Sequence, residues 1–168
     1  MSPRVLIISA DAITKAGIDM SPEDLEFGFN RGLIEAGDVV EVATEELRRG
    51  SADPIILELA CLTKTDVGRV NEVLELTADP LRIHDPRESA RKWLFLELQE
   101  LYLLRDRIDD PLGVIEEIYA EFDYPSVMAS FVRYMPADEG HAVGAAAIVA
   151  RWGAYLRDEH AALQREMR

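Results

Sequence analysis

Glu116, Glu117, Glu121 and Asp123 crowd one short stretch of the 168-residue chain, and carboxylates on adjacent helical turns can hold a divalent cation. Helical Mg2+ enzymes space such acids as EExxE followed by ExxD. The spacing here is EExxxExD, which misses that register, so a solvated helix face is the first expectation. A divalent-metal-dependent hydrolase using Glu117, Glu121 and Asp123 is the alternative. Other chemistry is sparser. His84, His141 and His160 are scattered, with no HExxH or ExxH spacing to bring ligands onto one helical face. His84 and Glu88 could share a face, although a loop-to-helix contact is the simpler role. Neither GxGxxG nor GxxxxGK opens a helix, and no Ser or Cys sits in a nucleophile elbow. No cofactor or catalytic residue is therefore expected. Asp123, Arg133 and Tyr134 would make a small polar site if the fold brought them together.

The elements that would carry these residues are helices. Asp110 and Pro111 form a start signal, a capping carboxylate followed by proline at the first helical position. The helix from Pro111 to Phe122 can turn Leu112, Ile115, Ile118, Tyr119 and Phe122 inward and Glu116, Glu117 and Glu121 outward. Between Asp106 and Asp123 there are seven acids, Asp109 and Asp110 among them, against one base, Arg107. This makes a carboxylate ridge beside Tyr119, Phe122 and Tyr124. Pro125 disfavours the helical region for Tyr124, so an extended corner is predicted at Asp123 and Tyr124. A short helix with Val127, Met128, Phe131 and Val132 follows and stops near Tyr134, Met135 and Pro136.

Upstream, Asp85 and Pro86 open a central helix over 86–105, with Glu88 at capping-box spacing. Trp93, Leu94, Leu98, Leu101 and Tyr102 recur at helical spacing, and Phe95, Leu96, Leu103 and Leu104 widen the apolar face. Such a helix is buried on more than one side, and each large side chain buried contributes about 1.5–3 kcal/mol.

The remaining segments follow the same grammar. Arg4 to Ala10 reads as a strand or a first helical turn. Ser21, Pro22, Glu23 and Asp24 start a helix with Leu25, Phe29, Leu33 and Ile34 on its buried face, and Gly37 ends it. Asp38 caps the next, lined by Val39, Val42, Ala43 and Leu47 and stopped by Gly50. Asp53 and Pro54 begin a third, and Thr65 or Asp66 a fourth through Val67, Val70, Val73, Leu74 and Leu76. The last runs from about Asp138 to Met167, with Ile148, Val149, Trp152, Leu156 and Leu163 at helical spacing. Gly140, Gly144 and Ala145 to Ala147 would allow close backbone approach, while Gly153 weakens the helix. Six prolines, at 22, 54, 80, 86, 111 and 125, stand where a helix could begin. An all-α single domain over 1–168 is predicted, a bundle or short stack of antiparallel hairpins with room for a short N-terminal extended segment.

With 32 acids against 18 Lys and Arg, the formal net charge is −14. This sign repels phosphate backbones and anionic membranes, so a basic protein is a better partner than nucleic acid. No apolar run reaches the ~18 residues of a membrane span. Cys61 stands alone in an apolar run, which excludes an internal disulfide, suits a reducing cytoplasm and reads as core.

The segments IDDPLGVIEEIYAEFDYP and FVRYMP, with KWLFLELQELY and FGFNRGLIEAGDVVEVA upstream, resemble an uncharacterised bacterial family of unknown function, DUF2247. The resemblance runs from about residue 25 to Pro136 and rests on Trp93, Asp109, Asp110, Pro111, Tyr119, Phe122, Asp123, Tyr124, Pro125, Phe131, Tyr134 and Pro136. It implies a small helical bacterial protein, with toxin immunity as one role. Trp93, Phe122 and Phe131 are expected in the core, whereas Tyr119, Tyr124 and Tyr134 have polar tips that suit an interface. The expected function is a non-enzymatic protein-binding domain that meets a basic partner, such as a toxin, through Asp109, Asp110, Glu116, Glu117, Tyr119, Glu121, Asp123, Tyr124 and Tyr134. A homo-oligomer joined through the last helix is a third possibility.

Overall fold

The computed structural model describes residues 6–63, 65–136, 140 and 142–167. The protein is all-α, and no strand occurs among the described residues. It divides into two compact units, Met1–Leu96 and Glu97–Arg168, with the boundary inside the central helix.

In the N-terminal unit, residues 6–9 are extended: Leu6 and Ile8 are buried, Ile7 faces water, and Ile8 N–H donates to Leu33 O at 2.8 Å. Residues 4 and 5 of the predicted segment lie outside the described residues. Ser9 then caps α1, Ala10–Ala16, a helix too short for periodicity to reveal. Ser21 caps α2, Pro22–Asn30, and Ser21 and Asp24 form a reciprocal capping box. α2 ends earlier than its apolar pattern suggests. Gly32 is left-handed (φ 71°), Gly32 N–H donates to Phe29 O and Leu33 N–H to Gly28 O, the two bonds of a Schellman cap. Leu33 and Ile34 are buried from the connection rather than from the helix. Gly37 consequently lies in the first turn of α3, Ala36–Arg48, instead of ending α2, and Glu35 rather than Asp38 is its N-cap residue.

α3 buries Val39, Val42, Ala43 and Glu46, the i, i+3, i+4, i+7 stripe. Leu47, at the edge of that stripe in the last turn of the helix, is exposed, contrary to the expected lining. Asp53 caps α4, Pro54–Ala60, by accepting from Ile55 N–H. Cys61 is exposed at the end of α4. It lies about 200° around the helix from buried Leu59, which explains why the core expectation fails. The fourth predicted helix is broken into a 3-10 turn at Val67–Arg69, α5 at Val70–Leu74 and a second 3-10 turn at Glu75–Ala78, leaving Leu76 exposed. Pro80 starts no helix and lies in a turn.

The central helix, α6, spans Pro86–Leu104, and Asp85 accepts from Arg87 N–H at its start. Trp93, Leu94, Phe95, Leu96, Leu98 and Leu101 are all buried, as two-sided packing requires, but Leu103 projects into water. In the N-terminal unit α6 meets α2 at Gly28, where a Cβ would collide with the Trp93 ring.

In the C-terminal unit, α7 covers Pro111–Glu121, a 3-10 turn covers Ser126–Phe131, and α8 covers Ala145–Glu166. Phe131 is buried and Phe122 half-buried. α8 packs against the 3-10 turn, with Phe131 and Tyr155 ring centroids 5.5 Å apart. Its predicted start at Asp138, and His141, fall outside the described residues. Gly140, Gly144, Ala145 and Ala146 are exposed and Ala147 is half-buried, and a Cβ at either glycine would meet nothing within 4 Å, so close approach is not their role. Gly153 has that role instead: a Cβ there would lie 3.0 Å from the Tyr102 hydroxyl. Among the described residues no helix is long and apolar enough to cross a membrane.

Candidate functional site: the C-terminal cap of α7

Asp110 stands at the front of α7 and accepts from Gly113 N–H at 3.1 Å. Arg133, far along the chain, closes on the same carboxylate with both terminal nitrogens, at 3.0 and 3.2 Å. It also reaches Glu116, through Nε at 2.8 Å and one terminal nitrogen at 3.3 Å. One guanidinium thus forks across two acids of the ridge, a geometry that suits arginine's planar donors. Arg133 holds the Asp110 carboxyl below its usual range, helped by Gly113 N–H, and Glu116 and then Asp110 raise Arg133's own affinity for its proton. A count of charges within 106–123 misses this base because it arrives from outside the window.

At the other end of α7 the chain makes a Schellman cap without glycine. Asp123 N–H donates to Ala120 O at 3.2 Å and Tyr124 N–H to Tyr119 O at 2.8 Å. Asp123 and Tyr124 have φ of 62° and 57°, so the corner is left-handed rather than extended. Pro125 excludes the right-handed helical region for Tyr124, but the left-handed one remains open, and the two hydrogen bonds select it. The cap sets the Tyr124 ring edge-on against Tyr119, with centroids 5.2 Å apart, the side-chain contact that accompanies such caps. Tyr134 lies 6.1 Å from Tyr119 on a tilted plane.

The three tyrosines divide by exposure. Tyr119 is buried and supports the other two, whereas Tyr124 and Tyr134 are 58% and 56% exposed. Partial desolvation, the neighbouring phenols and Glu116 raise the Tyr134 phenol above its ordinary range. Glu117, Glu121, Asp123 and Asp109 are exposed and Glu116 is half-buried. Of the predicted trio, Arg133 bonds Asp110 and Glu116, and Tyr134 packs on Tyr119. Among the described residues no three His, Cys, Asp or Glu side chains converge as a metal ion would require.

The N-terminal unit contains a polar node that sequence spacing does not reveal. Asp24, 1% exposed, accepts from Ser89 Oγ at 2.6 Å, Lys92 Nζ at 2.7 Å and Ser21 N–H at 2.9 Å. His84 Nε2 lies 2.7 Å from Ser89 Oγ. The serine's one proton goes to the carboxylate, so His84 Nε2 is the donor in that contact. Ser89 is fully buried and points its proton at the Asp24 carboxylate that Lys92 also holds, so its hydroxyl relays structure between His84 and Asp24. His84 does make a loop-to-helix contact, with Ser89.

Nearby, Arg82 joins Glu23 and Asp53. Burial pushes both carboxyls up, but the hydrogen bonds and charge of Arg82 prevail and hold them below their ordinary values. Glu46 behaves oppositely. Burial raises its carboxyl although it accepts from Met20 N–H.

No curated protein and no solved structure matches the chain. The family model described as an uncharacterized protein conserved in bacteria, DUF2247, matches residues 10–160, and the chain belongs to that family.

Proposed function

We propose that this chain is an acidic, non-enzymatic protein-binding domain, of the kind that neutralises a bacterial toxin as an immunity protein. The surface at the end of α7 receives a basic protein. The observation that carries this is the pair of half-exposed tyrosines held on a buried third, beside the exposed carboxylates of Glu117, Glu121 and Asp123. Aromatic anchors that are rigid before binding lose little entropy on docking. A ring of like charge around them selects a cationic partner and speeds encounter. Because Arg133 is engaged by Asp110 and Glu116, it adds no free positive charge to oppose one.

The test is association with the product of the neighbouring open reading frame, for wild type and for Tyr124→Ala/Tyr134→Ala. Binding that weakens on the order of a hundredfold in the double variant, and slows with salt, is the expected outcome. Thermal-shift measurements with Mg2+, Mn2+ and Zn2+ test the hydrolase alternative: stabilisation by any of them that Glu117→Gln/Glu121→Gln removes would favour it.

A further inference from the structure

The segment between the 3-10 turn at Glu75–Ala78 and α6 is pinned from beneath by alternate residues. Arg82 turns inward to Glu23 and Asp53, and His84 turns inward to Ser89. The residues between them go the other way. Leu81 is 89% exposed and Ile83 is 99% exposed. Leu81 stands in the turn that Arg82 N–H closes onto Asp79 O at 3.0 Å, Ile83 in the irregular chain that follows, and neither belongs to a helix. Single exposed apolar residues are ordinary on protein surfaces. Here two branched aliphatic side chains are held out on a segment whose neighbouring side chains are tied down on both sides. The polar anchors fix the presentation, so a ligand would not have to order the loop first.

The surroundings decide what such a pair would meet. Residues 75–88 contain Glu75, Asp79, Asp85 and Glu88 against two bases. Arg82 is taken by its two inward carboxylates and Arg87 by Asp85, which leaves Glu75, Asp79 and Glu88 as the acids of this stretch. An apolar pair flanked along the chain by acids complements a segment carrying both aliphatic and cationic side chains. A second copy of this chain would bring the same acids, with a net charge of −14 on each molecule, and be repelled. We propose that Leu81 and Ile83 form a docking ridge for a cationic, apolar protein segment, and this does not depend on the role of the α7 cap.

Three short fluorescent peptides titrated with the full chain and read by anisotropy test it: one alternating Lys and Leu, one Lys and Ser, one Glu and Leu. The Lys–Leu peptide should bind wild type and bind L81S/I83S on the order of tenfold more weakly. The Lys–Ser peptide should bind wild type more weakly than Lys–Leu and be indifferent to the substitution. Equal affinity of the Lys–Leu peptide for wild type and variant overturns the proposal, as does a Glu–Leu peptide that binds as tightly. A concentration-dependent dimer that L81S/I83S abolishes in sedimentation would assign the ridge to a second copy and overturn it too. An amide-resolved NMR titration of the wild-type chain needs no substitution. Shifts centred on residues 81–85 support the ridge, and shifts confined elsewhere contradict it.

Discussion

Removing the buried Asp24 carboxylate would strip Ser89, Lys92 and Ser21 N–H of the acceptor they share. Breaking a buried charge pair from one side typically costs about 3–5 kcal/mol. Asp24→Ala should lose that much in urea denaturation, and Asp24→Asn less, because the amide oxygen still accepts. Arg82 makes a pH prediction. Glu23 and Asp53 titrate below their ordinary 4.5 and 3.8 when folded, so the unfolded chain takes up their protons first on acidification. Their stabilising contribution is complete above those ordinary values and is lost as pH falls through the lower folded ones. Arg82→Gln should therefore shrink the drop in Tm between neutral pH and pH below 3.8. Glu46 has the opposite sign, its unfavourable charge being relieved as pH falls. Of these residues, the Ser21 cap with its following acids and the Asp53 cap were legible in the sequence. Asp24 meets Ser89 and Lys92 across more than sixty residues, and no local pattern encodes that.

Helices began where a polar cap preceded proline, at Pro22, Pro54, Pro86 and Pro111, and those starts could be read directly. Stops were harder. Gly50 was legible, Gly32 was passed over because apolar residues continued beyond it, and the α7 cap uses Asp123 where glycine is usual. At that left-handed position a β-branched residue is strained. Asp123→Val should destabilise by about 1–2 kcal/mol, whereas Asp123→Gly should be tolerated, with thermal melting as the measure. Two helical glycines should also part company. Gly28→Ala drives a methyl into the Trp93 ring, which Trp93 Nε1 anchors by donating to Asp24 O at 2.7 Å, and should cost about 2–3 kcal/mol. Gly153→Ala meets the Tyr102 hydroxyl at 3.0 Å and its ring carbons only at 3.4 and 3.5 Å. Its gain in helix propensity, up to about 1 kcal/mol, should offset the crowding and leave stability nearly unchanged.

At the scale of the whole molecule, the all-α class and the family were both legible, because proline-led caps, apolar stripes and the segments around DDPL and FDYP are local features. The tyrosine cluster was legible only as a list of residues. Its geometry depends on a left-handed corner, and its local charge on Arg133 arriving from outside the ridge. With a net charge of −14, attraction to a cationic partner acts over about a Debye length, roughly 8 Å at physiological ionic strength. Encounter rates should therefore respond to salt more than dissociation rates do. The most direct test is the stopped-flow association rate of this chain with the purified product of the neighbouring open reading frame, across a salt series, for wild type and Tyr124→Ala/Tyr134→Ala. The expected result is an association rate that falls steeply as salt rises in both proteins, with much faster dissociation in the double variant. A neighbouring product that does not bind, or a rate and affinity indifferent to both salt and the two tyrosines, would contradict the account.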